Sequence, residues 1–269
     1  MLQKKSDKNI NLPHGGKLTN LIRSVDLSRE LIEEAMTLKT WVLNPRQVWD
    51  IELILNGGFS PLDGFLNRSD YENVLANMRL SNGIIWPIPI MLDVSDDFAS
   101  DLSANERIGL KDYDGETLAI LTVTDVWRPD KQEEADRVFG TVNEEHPGVS
   151  SLYRQTLDVY IGGTIEGVNL PTHHSFNNMR MPPKALRNHF AGLGVSKIIA
   201  FQTRNPMHRA HVELTKRGAI MMNSHLLIHP VVGITKPGDV DHYLRVRCYI
   251  AALKQYEAGS ATLSLLPLA

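Results

Sequence analysis

The sequence predicts two domains: an α+β, β-barrel-like N-terminal domain over residues 1–172, and an α/β, doubly wound domain over residues 173–269. Three observations predict this. Short runs rich in Thr, Val and Leu fill the middle of the chain, separated by Asp-Gly and Gly-Gly signals, as in compact β-barrels. From about residue 172 helix-like and strand-like segments alternate, which is the grammar of a parallel sheet. Between the two styles stands Pro171-Thr172-His173-His174, a natural junction.

The elements follow in order. Residues 1–24 read as loosely structured, broken by Pro13 and Gly15-Gly16. Leu27 to Met36 reads as a short helix, and Pro45 to Leu55 as a second that stops near Gly57-Gly58. Strands are expected over 84–94, 107–110, 117–126 and 157–165. Beyond the junction, Pro182 to Leu193 is a helix, Lys197 to Phe201 a strand and Met207 to Ala219 a helix. His225 to Val232 is then a strand, Asp241 to Tyr256 a helix and Thr262 to Leu266 a strand. Asn56-Gly57-Gly58-Phe59-Ser60-Pro61 reads as a structural loop with a buried aromatic, and His173-His174 as hydrated linker.

Composition narrows the function. With 269 residues, 42% of them hydrophobic, the chain can bury a large core. A formal net charge of −3 carries no basic excess, which argues against nucleic acid as the main partner. A lone cysteine, Cys248, rules out an intrachain disulfide and fits a reducing compartment; it reads as a packing residue. Met1 to Asn11 is polar, unlike a secretory signal, and no run reaches transmembrane length. A soluble cytoplasmic protein with no membrane partner is the expectation.

Residues 198–211 speak most directly to chemistry. Ile198 to Phe201 are apolar and rich in β-branched residues, as a buried parallel strand requires. Asn205 is a good N-cap and Pro206 suits the first helical position. His208 and His211, at i and i+3, then share one face of the helix's first turns. Free N–H groups and the dipole at such a helix end favour phosphate, and Arg204 adds a bidentate fork for an oxyanion. A metal site is not expected, because no third ligand stands nearby and no HExxH pattern is present. Lys236, in the Thr235–Asp239 loop, leaves the same sheet edge; it either faces nucleotide phosphates or is simply solvated.

Gln202-Thr203-Arg204-Asn205-Pro206-Met207-His208-Arg209-Ala210-His211 resembles the Gln-x-Arg-Asn-Pro-x-His-x-x-His signature of the ATP sulfurylase (sulfate adenylyltransferase) family. Similar blocks run along the chain in the family's order: Pro13-His14-Gly15-Gly16, residues 55–65, residues 86–90, residues 126–131 and residues 231–239. The resemblance implies a PUA-like N-terminal domain and a Rossmann-like nucleotidyltransferase domain. It implies an enzyme of sulfate assimilation in which sulfate attacks the α-phosphorus of ATP, giving adenosine 5′-phosphosulfate and pyrophosphate. Sulfate has no proton to remove, so catalysis rests on positioning and charge neutralisation.

Gln202 and Arg204 then suit sulfate, and Gln202, Thr203, Arg204 and Asn205 the nucleotide. Thr203, Arg204, Asn205, His208 and His211 form the catalytic set, with the two histidines on the transition state and departing pyrophosphate. Magnesium would arrive on ATP, held by phosphates and water. A homo-oligomer is expected.

The resemblance also implies a further segment after the third strand, with a Gly-Arg-Asp-His-type loop. This chain stops at Ala269, so the catalytic domain is expected to be incomplete, lacking the adenine side and at least one arginine. Thr262 to Leu266 would then be an apolar edge lacking cover. The alternatives are an inactive nucleotide- or anion-binding fragment, and another HxxH-type nucleotidyltransferase.

Overall fold

The computed structural model describes residues 11–233 and 238–268. They divide into two compact units: residues 19–55 with 59–171, and residues 11–18 with 56–58 and 172–268.

The first unit is built on a mixed sheet. Its elements are α1 (Val25–Ala35), β1 (Thr40–Val42), α2 (Pro45–Asn56), β2 (Gly64–Phe65), α3 (Arg68–Asn77) and β3 (Leu92–Val94). There follow α4 (Asp96–Ala99), β4 (Arg107–Lys111), β5 (Thr117–Trp127), α5 (Lys131–Phe139), α6 (Pro147–Arg154) and β6 (Val159–Gly167). The strands run β1-β4-β5-β6-β2, with β3 also on β6. Only β1 and β4 pair in parallel.

The long strands β5 and β6 form the spine, and β5 finds apolar cover on both faces. Ile120 packs with Leu31 and Ala35 of α1, while Leu121 and Val123 join the main core with Leu92, Ile108 and Ile161. Asp112–Gly115 makes the β4–β5 turn, Gly115 taking the positive φ of 88° that the turn needs. Gly162-Gly163 lies inside β6, within the strand expected over 157–165. A Cβ on Gly163 would overlap the carbonyl oxygen of Thr122, so glycine lets β5 approach closely. Of the strand expected over 84–94 only Leu92–Val94 forms, since Pro87 and Pro89 cannot donate to a ladder. Helices α3, α4, α5 and α6 and the short strands β1 and β2 have no counterpart in the sequence reading.

A cluster of charged and polar groups buried in this unit is bonded internally. Arg46 reaches Asp50 at 2.6 Å and also Asp93, which accepts from Gln47 Nε2 (2.8 Å) and Leu157 N (2.9 Å). Burial pushes the Asp50 carboxyl up to about 6, against the opposing pull of Arg46. Ser60 Oγ accepts from Thr19 N at 2.9 Å and Phe59 packs edge-on against Trp86, so residues 59–60 serve structure.

The second unit holds α7 (Pro183–Leu193), β7 (Ile198–Phe201), α8 (Arg209–Met222), β8 (His225–Ile228), α9 (His242–Leu253) and β9 (Ala261–Leu263). The three strands are parallel and lie in chain order, β7-β8-β9. One face of the sheet packs Leu226, Ile228 and Leu263 on Val246 and Tyr249 of α9. On the other face Thr262 Oγ1 bridges two rings, His225 Nε2 at 2.8 Å and His189 Nε2 of α7 at 3.0 Å.

Two expectations are corrected here. β7 was expected to be buried, yet its residues are exposed or half-buried, with Ile198 37% exposed. It is an edge strand: Ile199 and Phe201 reach the core, whereas Ile198 and Ala200 face outward. The segment expected to lack cover, 262–266, is instead well packed. Thr262, Leu263, Ser264 and Leu265 are all buried, and Leu265 N donates to Met179 O at 2.8 Å. Several uncovered apolar side chains lie instead on α8, at Leu214, Ile220, Met221 and Met222. No helix among the described residues is long and apolar enough to cross a membrane. Cys248 is a free, half-buried thiol on α9.

Candidate active site

The loop from Gln202 to His208 leaves the carboxyl end of β7 and runs into α8. Ligands of open α/β sheets bind at this edge. The helix does not begin where the sequence places it. α8 starts at Arg209 with His208 as its N-cap, so Asn205 and Pro206 lie in the loop. The reason is tertiary. Tyr249 Oη donates to the Asn205 carbonyl at 3.0 Å, and Arg245 Nη1 donates to the Arg204 carbonyl at 3.0 Å. Both braces come from α9, four residues apart on one face. Within the loop, Asn205 N donates to Thr203 Oγ1 at 3.1 Å, a small side-chain-closed turn. A carbonyl held from α9 is not free to open an α-helix.

His208 and His211 still meet. Their ring centroids lie 3.9 Å apart with planes 32° from parallel, and His208 N approaches His211 Nδ1 at 3.4 Å. His211 also rests against Phe201, at 5.5 Å between centroids. His208 is exposed and His211 half-buried, so the pair presents imidazole edges at a helix start, where amides and dipole attract anions.

Arg204 is half-buried, and its Nη2 contacts Asp239 Oδ2 at 2.6 Å. The fork expected to grip an oxyanion thus has a carboxylate on one arm. Gln202 and Asn205 are exposed at the crest and Thr203 is half-buried. The structure brings these six signature residues to one edge. Lys236 lies outside the described residues.

Sequence reasoning missed the roles of Arg245, Tyr249 and Asp239. Arg245 is 1% exposed and Tyr249 fully buried, its hydroxyl pushed up to about 12 by burial. Nothing in their spacing marks them; only the tertiary fold puts α9 beneath the loop. His173, singled out as linker, stands near His242, whose pKa is lowered chiefly by burial. Among the described residues no three His, Cys, Asp or Glu side chains gather as metal ligands. A cleft of about 810 Å³ opens at the opposite edge, by the amino ends of the strands, lined by Lys197, Lys216, His225 and Ser260. It holds none of the signature residues.

The PUA-like domain family matches residues 11–170, and the ATP-sulfurylase family matches residues 177–269. The chain is 52% identical over 260 residues to a sulfate adenylyltransferase of Kluyveromyces lactis, covering 96% of this chain and 52% of that protein. It is 50% identical over 260 residues to one of Saccharomyces cerevisiae, with 96% and 51% covered. Against one of Neurospora crassa it is 52% identical over 263 residues, with 96% and 46% covered. The chain therefore spans about half the length of the curated relatives it matches. A solved structure described as a hexameric APS kinase from Thiobacillus denitrificans superposes with a TM-score of 0.79 and 33% identity, covering 96% of this chain and 47% of that one.

Proposed function

This chain belongs to the ATP-sulfurylase family, and from that premise we propose that it takes part in sulfate adenylyl transfer. Sulfate oxygen attacks the α-phosphorus of ATP, the new S–O–P link forms, and the bond to the β-phosphate breaks to release pyrophosphate. The observation that carries this reading is the signature loop at the carboxyl edge of β7, with Arg204 beside it and His208 stacked on His211 at the start of α8. Amide, hydroxyl, guanidinium and imidazole donors converge there, which is what two mutually repelling anions require.

In this reading Gln202 and Arg204 hold sulfate, and Thr203 and Asn205 meet the α-phosphate. His208 and His211 stabilise charge that grows as pyrophosphate leaves. The donor set is suited to phosphate rather than to a magnesium cage, and Asp239 already engages Arg204. Magnesium would come on the nucleotide, with phosphates and water as its ligands, and would offset the triphosphate charge. A cytoplasmic location and a homo-oligomer belong to the same proposal, supported by the free thiol of Cys248 and by the solved relative described as hexameric.

The test is pyrophosphate release from ATP and magnesium, with and without sulfate, and with other acceptors in its place. Release that requires sulfate supports the reading. Release with another acceptor favours a different nucleotidyltransferase, and nucleotide binding without release favours a binding module.

A further inference from the structure

The ladder between β7 and β8 continues past the ends of both strands. Phe201 pairs with Ile228, and then His229 N donates to Phe201 O at 2.9 Å and Val231 N to Thr203 O at 2.8 Å. The next pair in register is therefore Gln202 and His229. On the other side Ile228 pairs with Leu263, and Ser264 N donates to Ile228 O at 3.0 Å, which sets Ser264 beside His229. Side chains in register on adjacent strands share a face and stand about 4.8 Å apart along the row. Phe201, Ile228 and Leu263 turn to the α9 core, so Gln202, His229 and Ser264 form a polar row on the opposite face, at the carboxyl edge.

Three polar side chains in a row at the end of a parallel sheet are unusual for packing alone. Ser264 is fully buried, and its hydroxyl has no hydrogen-bond partner among the described residues. A buried polar atom left unsatisfied needs a reason, and a ligand site is a common one. Burial pulls the pKa of His229 down, with no charged neighbour contributing, so its ring stays neutral: one N–H donor and one acceptor. Gln202 is exposed at the open end of the row, and Ser264 lies at the closed end.

We infer that His229 is a further oxyanion-binding residue, donating a neutral ring N–H beside Gln202 to the tetrahedral acceptor, with Ser264 behind it. This rests on the reading of the loop as a sulfate site and extends it to the neighbouring strand. The anion then meets the signature from two sides of the crest: Gln202 and His229 on one face, His208 and His211 on the other, where His211 touches Phe201. A fully ionised sulfate accepts from every group and donates to none. The row supplies the donors it needs without adding a cation that would also draw the nucleotide.

The experiment compares His229→Leu and His229→Asn with the wild-type protein. KM values for sulfate and for ATP come from pyrophosphate release, binding of inorganic sulfate from calorimetry, and folding from the melting temperature. His229→Leu is expected to weaken sulfate at least tenfold, in KM and in binding, while the KM for ATP stays within twofold. His229→Asn, which keeps an N–H donor, recovers most of that loss. Sulfate affinity within twofold of wild type in His229→Leu overturns the inference, as does an equal loss for sulfate and ATP in both variants. Wild-type protein that binds no sulfate overturns the functional reading and His229 with it; normal wild-type binding with an unimpaired leucine variant overturns His229 alone.

Discussion

The two sheets of this protein treat their strands in opposite ways. In the mixed sheet the central strand β5 is buried on both faces, from Thr117 through Leu121, and Ile161 of β6 has no exposure at all. In the parallel sheet β7 has one face on the core and one outward, and α8 leaves Leu214, Ile220 and Met221 in solvent. The signature loop grows from the less covered of the two. A site that must admit ligands and release products draws on elements with fewer buried contacts, and rigidity then comes from a few directed hydrogen bonds rather than from area. Arg245 and Tyr249 supply them.

The sharpest break of this comparison is a pair of truncations. Ile161→Ala should cost about 4 kcal/mol of stability, as deletion from a packed core does. Ile198→Ala, at a position already 37% exposed, should cost less than about 1 kcal/mol. Denaturant unfolding of both variants measures the gap, and equal losses would erase the distinction. Next in size, Arg204→Ala should leave the fold intact yet remove about 3 kcal/mol of transition-state stabilisation, read as sulfate-dependent pyrophosphate release. Near-normal activity in the folded variant would take Arg204 out of the site.

A third prediction belongs to the mixed sheet. Asp50 has a folded-state pKa raised to about 6, above its value of 3.8 in the unfolded chain. Between those two values the folded state binds more protons, so this group's contribution to stability grows as pH falls from 6 towards 4. It is lost as pH rises back through 6. The amplitude should be on the order of 2 kcal/mol and should vanish in Asp50→Asn, as the difference between the two variants' stability-versus-pH curves. Curves that stay parallel across that window would contradict it. Last comes Tyr249→Phe, which removes one hydroxyl from under the loop and keeps the ring in its core. A loss of about tenfold in turnover is expected, roughly 1.4 kcal/mol, together with faster amide exchange across residues 202–208. Unchanged exchange would show that the loop holds its shape without α9.

Much of this was legible in the sequence where the signal is local. β5 and β6 stand out as β-branched runs, and the strand, turn and helix of the signature were readable to within a few residues. Local signals also misled. Asn205-Pro206 reads as a helix start, but Tyr249 holds the Asn205 carbonyl and Arg245 that of Arg204, and the start moves to His208. Helix α3 buries only Tyr71 and Val74, too thin a stripe to register. Helices α5 and α6 cover one another through Ala135, Val149 and Leu152, a small core invisible until the two segments meet. Asp239, Arg245 and His229 lie 25 to 41 residues from Arg204, and no periodicity joins them to it.

Thr262, between His189 and His225, has a consequence of its own. A hydroxyl carries a single hydrogen and two lone pairs, so it can give that hydrogen to at most one imidazole and must accept from at least one. At least one of the two rings therefore holds a hydrogen on the nitrogen that faces Thr262. Burial and the neighbouring His189 both pull the His225 pKa down, which favours the neutral form of that ring. Three side chains from α7, β8 and β9 are thereby coupled: the two rings cannot both present a bare lone pair to the hydroxyl, and a change of tautomer at one limits the tautomer open to the other.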